Sequence, residues 1–114
     1  MNAEVKSEMD KVFGSILKDY RTRQKLTQAE MSEKLDISEK YVSRIETGTG
    51  GISKETLAKY MNILGISPNT MYKEFINNPR IKTEIEVSEK LASLSSKKLE
   101  IILEMIKLID SLKD

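Results

Sequence analysis

The sequence predicts an all-α fold, five short helices packed round one small core with a longer helix at the C-terminal end, and three observations lead there. Apolar residues recur at steps of three and four, the spacing that gathers them on one face of a helix. Where those runs begin, an apolar residue stands immediately before a Ser or Thr: Leu26-Thr27, Ile37-Ser38, Ile52-Ser53, Ile66-Ser67 and Leu94-Ser95. Such a pair supplies a side-chain oxygen for the first free backbone N–H groups and a hydrophobic staple onto the following turn. Where runs end, Asp36, Gly48 and Gly65 are residues that accept the left-handed conformation of a helix stop. A length of 114 residues holds a small domain with an appendage, and the boundaries read as a domain over 9–76 and a helical segment over 80–114.

Residues 1 to about 8 carry no periodicity and read as a mobile acidic start. From Met9, the positions Met9, Phe13, Ile16, Leu17 and Tyr20 define the first helix, which ends near Gln24 and shows Lys11, Lys18, Thr22 and Lys25 on its outer side. The second starts at Thr27, where Glu30 can reach back to complete a capping box, turns Met31 and Leu35 inward, and gives out at Asp36. The third starts at Ser38, turns Val42 and Ile45 inward, and closes at Gly48. Its opposite face carries Lys40, Ser43, Arg44 and Thr47, with Ser38, Glu39 and Tyr41 at the leading end. These are hydrogen-bonding side chains on a helix that fits a DNA major groove. Thr47-Gly48-Thr49-Gly50-Gly51 reads as a connector, too short for a phosphate-gripping loop and without its Lys. The fourth helix is capped by Ser53, buries Leu57, Tyr60, Met61 and Leu64, and stops at Gly65. The fifth follows Ser67 with Pro68 at its first position and Met71, Tyr72 and Phe75 behind it.

The stretch Thr27 to Gly48, T-Q-A-E-x-S-x-x-L-x-I-S-x-x-Y-V-S-R-I-E-x-G, resembles the helix-turn-helix of lambda-repressor-like (Cro- or Xre-type) bacterial and phage regulators. The likeness extends over roughly Phe13 to Phe75. It implies a five-helix lambda-repressor-like DNA-binding domain whose partner is double-stranded DNA. Carried over by position, it implies Gln28 at a phosphate, Glu39, Lys40, Tyr41 and Arg44 at base edges, and Ser43 at the backbone or groove wall. It also implies that Arg21 and Glu46 are the family's buried pair between the first and third helices; taken alone, the two residues read equally as surface charges. The chain departs from the pattern at Asp36, where glycine is usual, at Ser32, where alanine is usual, and at Thr47, where a longer polar residue is common. Asp36 adds a negative charge near the DNA side.

After Asn77-Asn78-Pro79 the composition shifts to a highly charged stretch, Arg80 to Lys90, which reads as a connecting helix capped at Thr83. The last helix, Ser96 to about Lys113, carries two apolar seams, Leu99, Ile102, Ile106 and Ile109 on one and Ile101, Met105, Leu108 and Leu112 on the other. One seam can cover the domain, and the second then needs a partner, by default a second copy about a two-fold axis. Leu99, Ile102, Met105, Ile106, Ile109 and Leu112 are the residues expected to form that C-terminal helical dimerisation segment. An intramolecular hairpin that buries both seams is the alternative.

With no His and no Cys, the chain lacks the usual transition-metal ligands, the commonest general base and any disulfide, so neither a metal nor a cofactor is expected and catalysis is disfavoured. It carries no signal peptide and no apolar run near bilayer length, which points to a cytoplasmic protein with no membrane partner. The net charge of +1 says nothing for nucleic acid, but residues 11–75 hold 11 Lys and Arg against 8 Asp and Glu, a local +3. So modest an excess predicts weak nonspecific affinity and specific binding by two subunits together. The expected function is a homodimeric transcriptional regulator, a repressor on an inverted-repeat operator, from a bacterium, phage or mobile element. The rival is an antitoxin-like module whose C-terminal helix docks a regulatory protein partner. Operator sequence, regulated genes and the signal that relieves binding are not written in the side chains.

Overall fold

The computed structural model describes residues 3–79, 81 and 96–112, and among these every regular element is a helix. They are α1 (Ala3–Arg23), α2 (Gln28–Leu35), α3 (Glu39–Thr47), α4 (Lys54–Leu64), α5 (Pro68–Ile76) and α6 (Ser96–Ser111). The all-α class expected from the sequence is the class observed among the described residues. Each cap sits where local chemistry requires it. Thr27, Ser38, Ser53 and Ser67 have extended backbones, and their hydroxyl oxygens accept the N–H of Glu30, Tyr41, Thr56 and Thr70 respectively. At Thr27 the Glu30 carboxylate returns a bond to the cap N–H at 3.0 Å, completing the capping box. Gly48 and Gly65 close α3 and α4 in the left-handed conformation, at φ 75° and 71°.

The first helix begins earlier than its apolar pattern indicates. Residues 1–8 were expected to be unstructured, yet α1 starts at Ala3. Burial of Met9 anchors the helix from within, so it propagates backwards without an apolar repeat. Val12, absent from the expected apolar set, is buried beside Phe13.

Packing is organised by α1, which lies against α3, α4, α5 and α6, while α2 closes the far side against α3 and α4. Phe13 of α1 and Phe75 of α5 meet with ring centroids 5.8 Å apart, and Leu17, Met31, Val42, Leu57, Tyr60 and Met71 fill the space around them with no measurable exposure. The last helix joins the same core through Ile101, Met105 and Ile109, packing on α1 and α5. This corrects the expected dimerisation set. Met105 and Ile109, at 0 % and 4 % exposure, are spent within the chain, and Leu112 is partly buried on the same cluster. The side facing the domain draws on both seams, because the buried arc of α6 runs from Leu108 through Ile101, Leu112 and Met105 to Ile109. Ile102 is half-buried and Ile106 exposed; the side chain of Leu99 lies outside those described. The connecting helix expected over 80–90 falls outside the described residues apart from Ile81, which is helical and buried, as does its cap at Thr83.

Candidate nucleic-acid interface

The α2–α3 corner is built by one non-glycine residue. Asp36 adopts the left-handed conformation at φ 55°, ψ 46°, and its N–H reaches back to the carbonyls of Glu33 and Ser32. The N–H of Ile37 then bonds Ser32 O at 3.1 Å, which satisfies the end of α2 and swings the chain directly into the cap at Ser38. The hydroxyl of the buried Ser32 donates to Ala29 O at 2.7 Å, so a position that favours alanine accepts serine without an orphaned polar atom.

Leaving that corner, α3 turns Val42, Ile45 and Glu46 inward and Lys40, Arg44 and Thr47 fully outward, with Ser43 half-buried on the same side. Lys40, Ser43, Arg44 and Thr47 are three or four residues apart, so they form one stripe. Among the described residues no carboxylate pairs with Lys40 or Arg44. Thr47 folds back instead: its hydroxyl bonds the carbonyls of Ser43 and Arg44 and the hydroxyl of Thr49. Tyr41 lies on the other flank, half-buried against the core, and Ser38 uses an oxygen lone pair on the cap bond to Tyr41 N–H. Glu39 is exposed at the first turn.

Beneath this face lies a buried polar network. Arg21 donates to both carboxylate oxygens of Glu46, from Nε to Oε2 at 2.6 Å and from Nη2 to Oε1 at 2.8 Å, and its Nη1 donates to Leu26 O at 2.6 Å. Tyr60 of α4 donates its hydroxyl to Glu46 Oε2 at 2.5 Å, and Gln28 of α2 donates Nε2–H to Glu46 Oε1 at 3.1 Å. One carboxylate on α3 is therefore held from α1, α2 and α4. Burial alone would raise the pKa of Glu46, but the hydrogen bonds from Arg21, Tyr60 and Gln28 outweigh it and hold the carboxyl below its usual range. Burial, and then the bond to Glu46, push the Tyr60 hydroxyl far up, so it stays a neutral donor.

The structure thus brings Arg21, Gln28 and Glu46 together and keeps Glu39, Lys40, Ser43 and Arg44 apart from them on the solvent side. Sequence reasoning missed three contributors. Tyr60 was expected only to fill the core, and its bond to Glu46 spans 14 residues, with no local signal. Gly14 lets α1 touch the backbone of α3; a Cβ there would lie 2.3 Å from Ile45 O. Gly50 lets the loop after α3 run against the stem of Arg44, where a Cβ would meet Arg44 Cβ at 2.7 Å, and the N–H groups of Thr49 and Gly50 both bond Arg44 O. The Thr-Gly-Thr-Gly-Gly run was the available signal for that loop.

In a comparison with known protein families, a helix-turn-helix model aligns with residues 17–71, which run from α1 into α5 and enclose the whole corner. Comparisons with curated proteins and with solved structures find no match. No helix among the described residues is long and apolar enough to cross a membrane.

Proposed function

We propose that this chain, whose residues 17–71 match a helix-turn-helix family model, is a DNA-binding transcriptional repressor that binds an inverted-repeat operator as a homodimer. The observation that carries this reading is the division of α3. Its inner side is fixed by Val42, Ile45 and the Glu46 network, while Lys40, Ser43 and Arg44 face outward with donors and acceptors free to meet base edges and phosphates. Lys40 and Arg44 can donate to guanine, and Glu39 can only accept, which suits the amino groups of cytosine or adenine. Gln28 commits one amide N–H to Glu46 and keeps a second for a phosphate.

Repression follows from geometry rather than from any catalytic group. A protein seated across the major groove at a promoter excludes polymerase by occupancy, and a local net charge of only +3 favours specific binding by two linked recognition helices over tight nonspecific adhesion. Two copies related by a two-fold axis present α3 twice, about 34 Å apart, and select half-sites one helical turn apart. Selection of bound fragments from random DNA tests the proposal. The expected product is an inverted repeat, and Lys40→Ala and Arg44→Ala each weaken binding to it by about 1–3 kcal/mol. Wild-type affinity in both variants would remove α3 as the reading element.

A further inference from the structure

Of the five glycines in the chain, Gly48, Gly51 and Gly65 have positive φ and Gly14 and Gly50 do not, so backbone conformation explains only the first three. Gly14 admits the backbone of α3, as described above. Gly50 admits something else. A Cβ built on it would lie 2.7 Å from Cβ of Arg44, and the next nearest atoms, at 3.6 and 3.8 Å, are C and Cα of the same residue. The loop is tied to that residue as well. The N–H groups of Thr49 and Gly50 donate to Arg44 O at 3.0 and 3.3 Å, and the Thr47 hydroxyl stands 3.2 Å from the same carbonyl and 2.9 Å from the hydroxyl of Thr49. At its start the loop is seated on α1, where a Cβ on Gly48 would lie 2.5 Å from Lys11 Cα. It therefore bridges the body of the domain and the stem of one exposed, outward-facing side chain.

We infer that Gly50 is a positioning residue for Arg44 and, through it, a determinant of the base pair that α3 prefers, although Gly50 itself reads no base. Backbone packed this closely on a Cβ occupies space that one staggered position of Cγ needs, so the guanidinium leaves α3 in a restricted direction. The Cβ of Arg44 is fixed to the helix backbone and cannot swing clear. A side chain at position 50 must therefore move the loop or tilt the last turn of α3. Either shift redirects the guanidinium, whose planar fork discriminates guanine only when two N–H groups reach O6 and N7 together. Restriction before binding also leaves less side-chain freedom to lose on DNA. Lys40, one turn earlier, departs from the part of α3 that the Ser38 cap holds, and its base contacts should survive a change at position 50. The inference rests on the DNA-binding reading proposed above for its effect on sequence preference, and on geometry alone for the contact between positions 44 and 50.

Thermal melts test the contact without DNA. Gly50→Ala should melt about 5 °C or more below the wild type, and in an Arg44→Gly background, which lacks the Cβ it meets, the same change should lower the melting temperature less than about half as much. If Gly50→Ala alone does not fold, recovery of the fold in the double variant is the same result. Equal losses in both backgrounds, or no recovery, overturn the contact. Binding to single-base-pair variants of a site selected from random DNA tests the consequence. Gly50→Ala should lose about tenfold in discrimination at the base pair where Arg44→Ala also loses it, and keep both its discrimination elsewhere and the salt dependence of its binding to unrelated DNA. In an Arg44→Ala background the same change should alter discrimination less than about twofold. Where Gly50→Ala does not fold, Thr47→Val, which cuts the hydroxyl link to Thr49, takes its place and should lose discrimination at the same base pair. Uniform weakening at every base pair, the mark of a lost phosphate contact, overturns the assignment, as does an unchanged preference. Coupled melts with no DNA recovered overturn the DNA-binding reading alone, and an operator recovered without coupled melts overturns the positioning role alone.

Discussion

Replacing Glu46 by alanine is the sharpest test of how α3 is held. The variant removes a carboxylate whose side chain is 1 % exposed and leaves the Arg21 guanidinium, 8 % exposed, with two donors unpaired. Loss of one partner of a buried ion pair costs about 3–5 kcal/mol, since the remaining charge stays out of water. Arg21 keeps one bond, to Leu26 O, and its place near the surface lets water reach part of it, which argues for the lower end of that range. The Tyr60 hydroxyl is orphaned as well and adds about 1 kcal/mol or more. A total near 4 kcal/mol, at about 4–8 °C per kcal/mol for a domain of this size, lowers the melting temperature by about 15–30 °C. Glu39→Ala, seven positions earlier on the same helix but exposed, should change stability by less than about 0.5 kcal/mol. Thermal melts followed by circular dichroism compare the two directly. Equal small shifts would mean that the network contributes no more than a surface pair, and the account of α3 as held through Glu46 would fail.

Acid should probe the same group. The folded pKa of Glu46 lies below its ordinary value near 4.5, so its contribution is present above that value and is lost as pH falls through the folded one. The wild-type chain should therefore lose stability below about pH 4.5, and Glu46→Gln should show a flatter acid limb in urea titrations at several pH values. Gly14→Ala places a Cβ 2.3 Å from Ile45 O and 2.7 Å from Glu46 O, both backbone atoms that cannot rotate away. It should destabilise by about 3 kcal/mol or more although alanine is the better helix former, and a gain in melting temperature would contradict the close approach of α1 and α3. Glu39→Gln should change the sequences recovered in a random-DNA selection and raise nonspecific affinity, read from binding at several salt concentrations. An unchanged preference would exclude Glu39 from base reading.

What the sequence made legible is what local chemistry decides. Thr27 with Glu30, and Ser38, Ser53 and Ser67, bond backbone groups three residues away, so the caps and the turn at Asp36 were readable from a few neighbouring letters. Contacts across the chain were not. The bonds that Tyr60 and Gln28 make to Glu46 depend on how α4 and α2 settle on α3. Gly14 in mid-helix looks like a weak helix former until α3 is placed against it. The two seams of α6 are equally apolar on paper, and which arc turns inward is decided by the surfaces of α1 and α5, which is why Met105 and Ile109 were assigned to a partner that the chain itself supplies. The early start of α1 escaped for a related reason, because a helix anchored at Met9 extends through charged residues that leave no periodic mark.

Attaching α3 to the rest of the domain entirely from behind has a consequence for how such a protein changes over time. Val42, Ile45 and Glu46 carry the structural duty, and positions 40 and 43 on the outer side carry almost none. On the proposed reading, exchanges there would alter which operator is bound while the melting temperature stays nearly constant, so binding preference could drift through many intermediates without passing through an unfolded one. Position 44 is the exception, because Gly50 and the backbone bonds of the following loop are fitted to the stem of its side chain. New specificities in a lineage descended from this chain should therefore accumulate first at residues 40 and 43, and reach residue 44 only together with a change in the loop behind it.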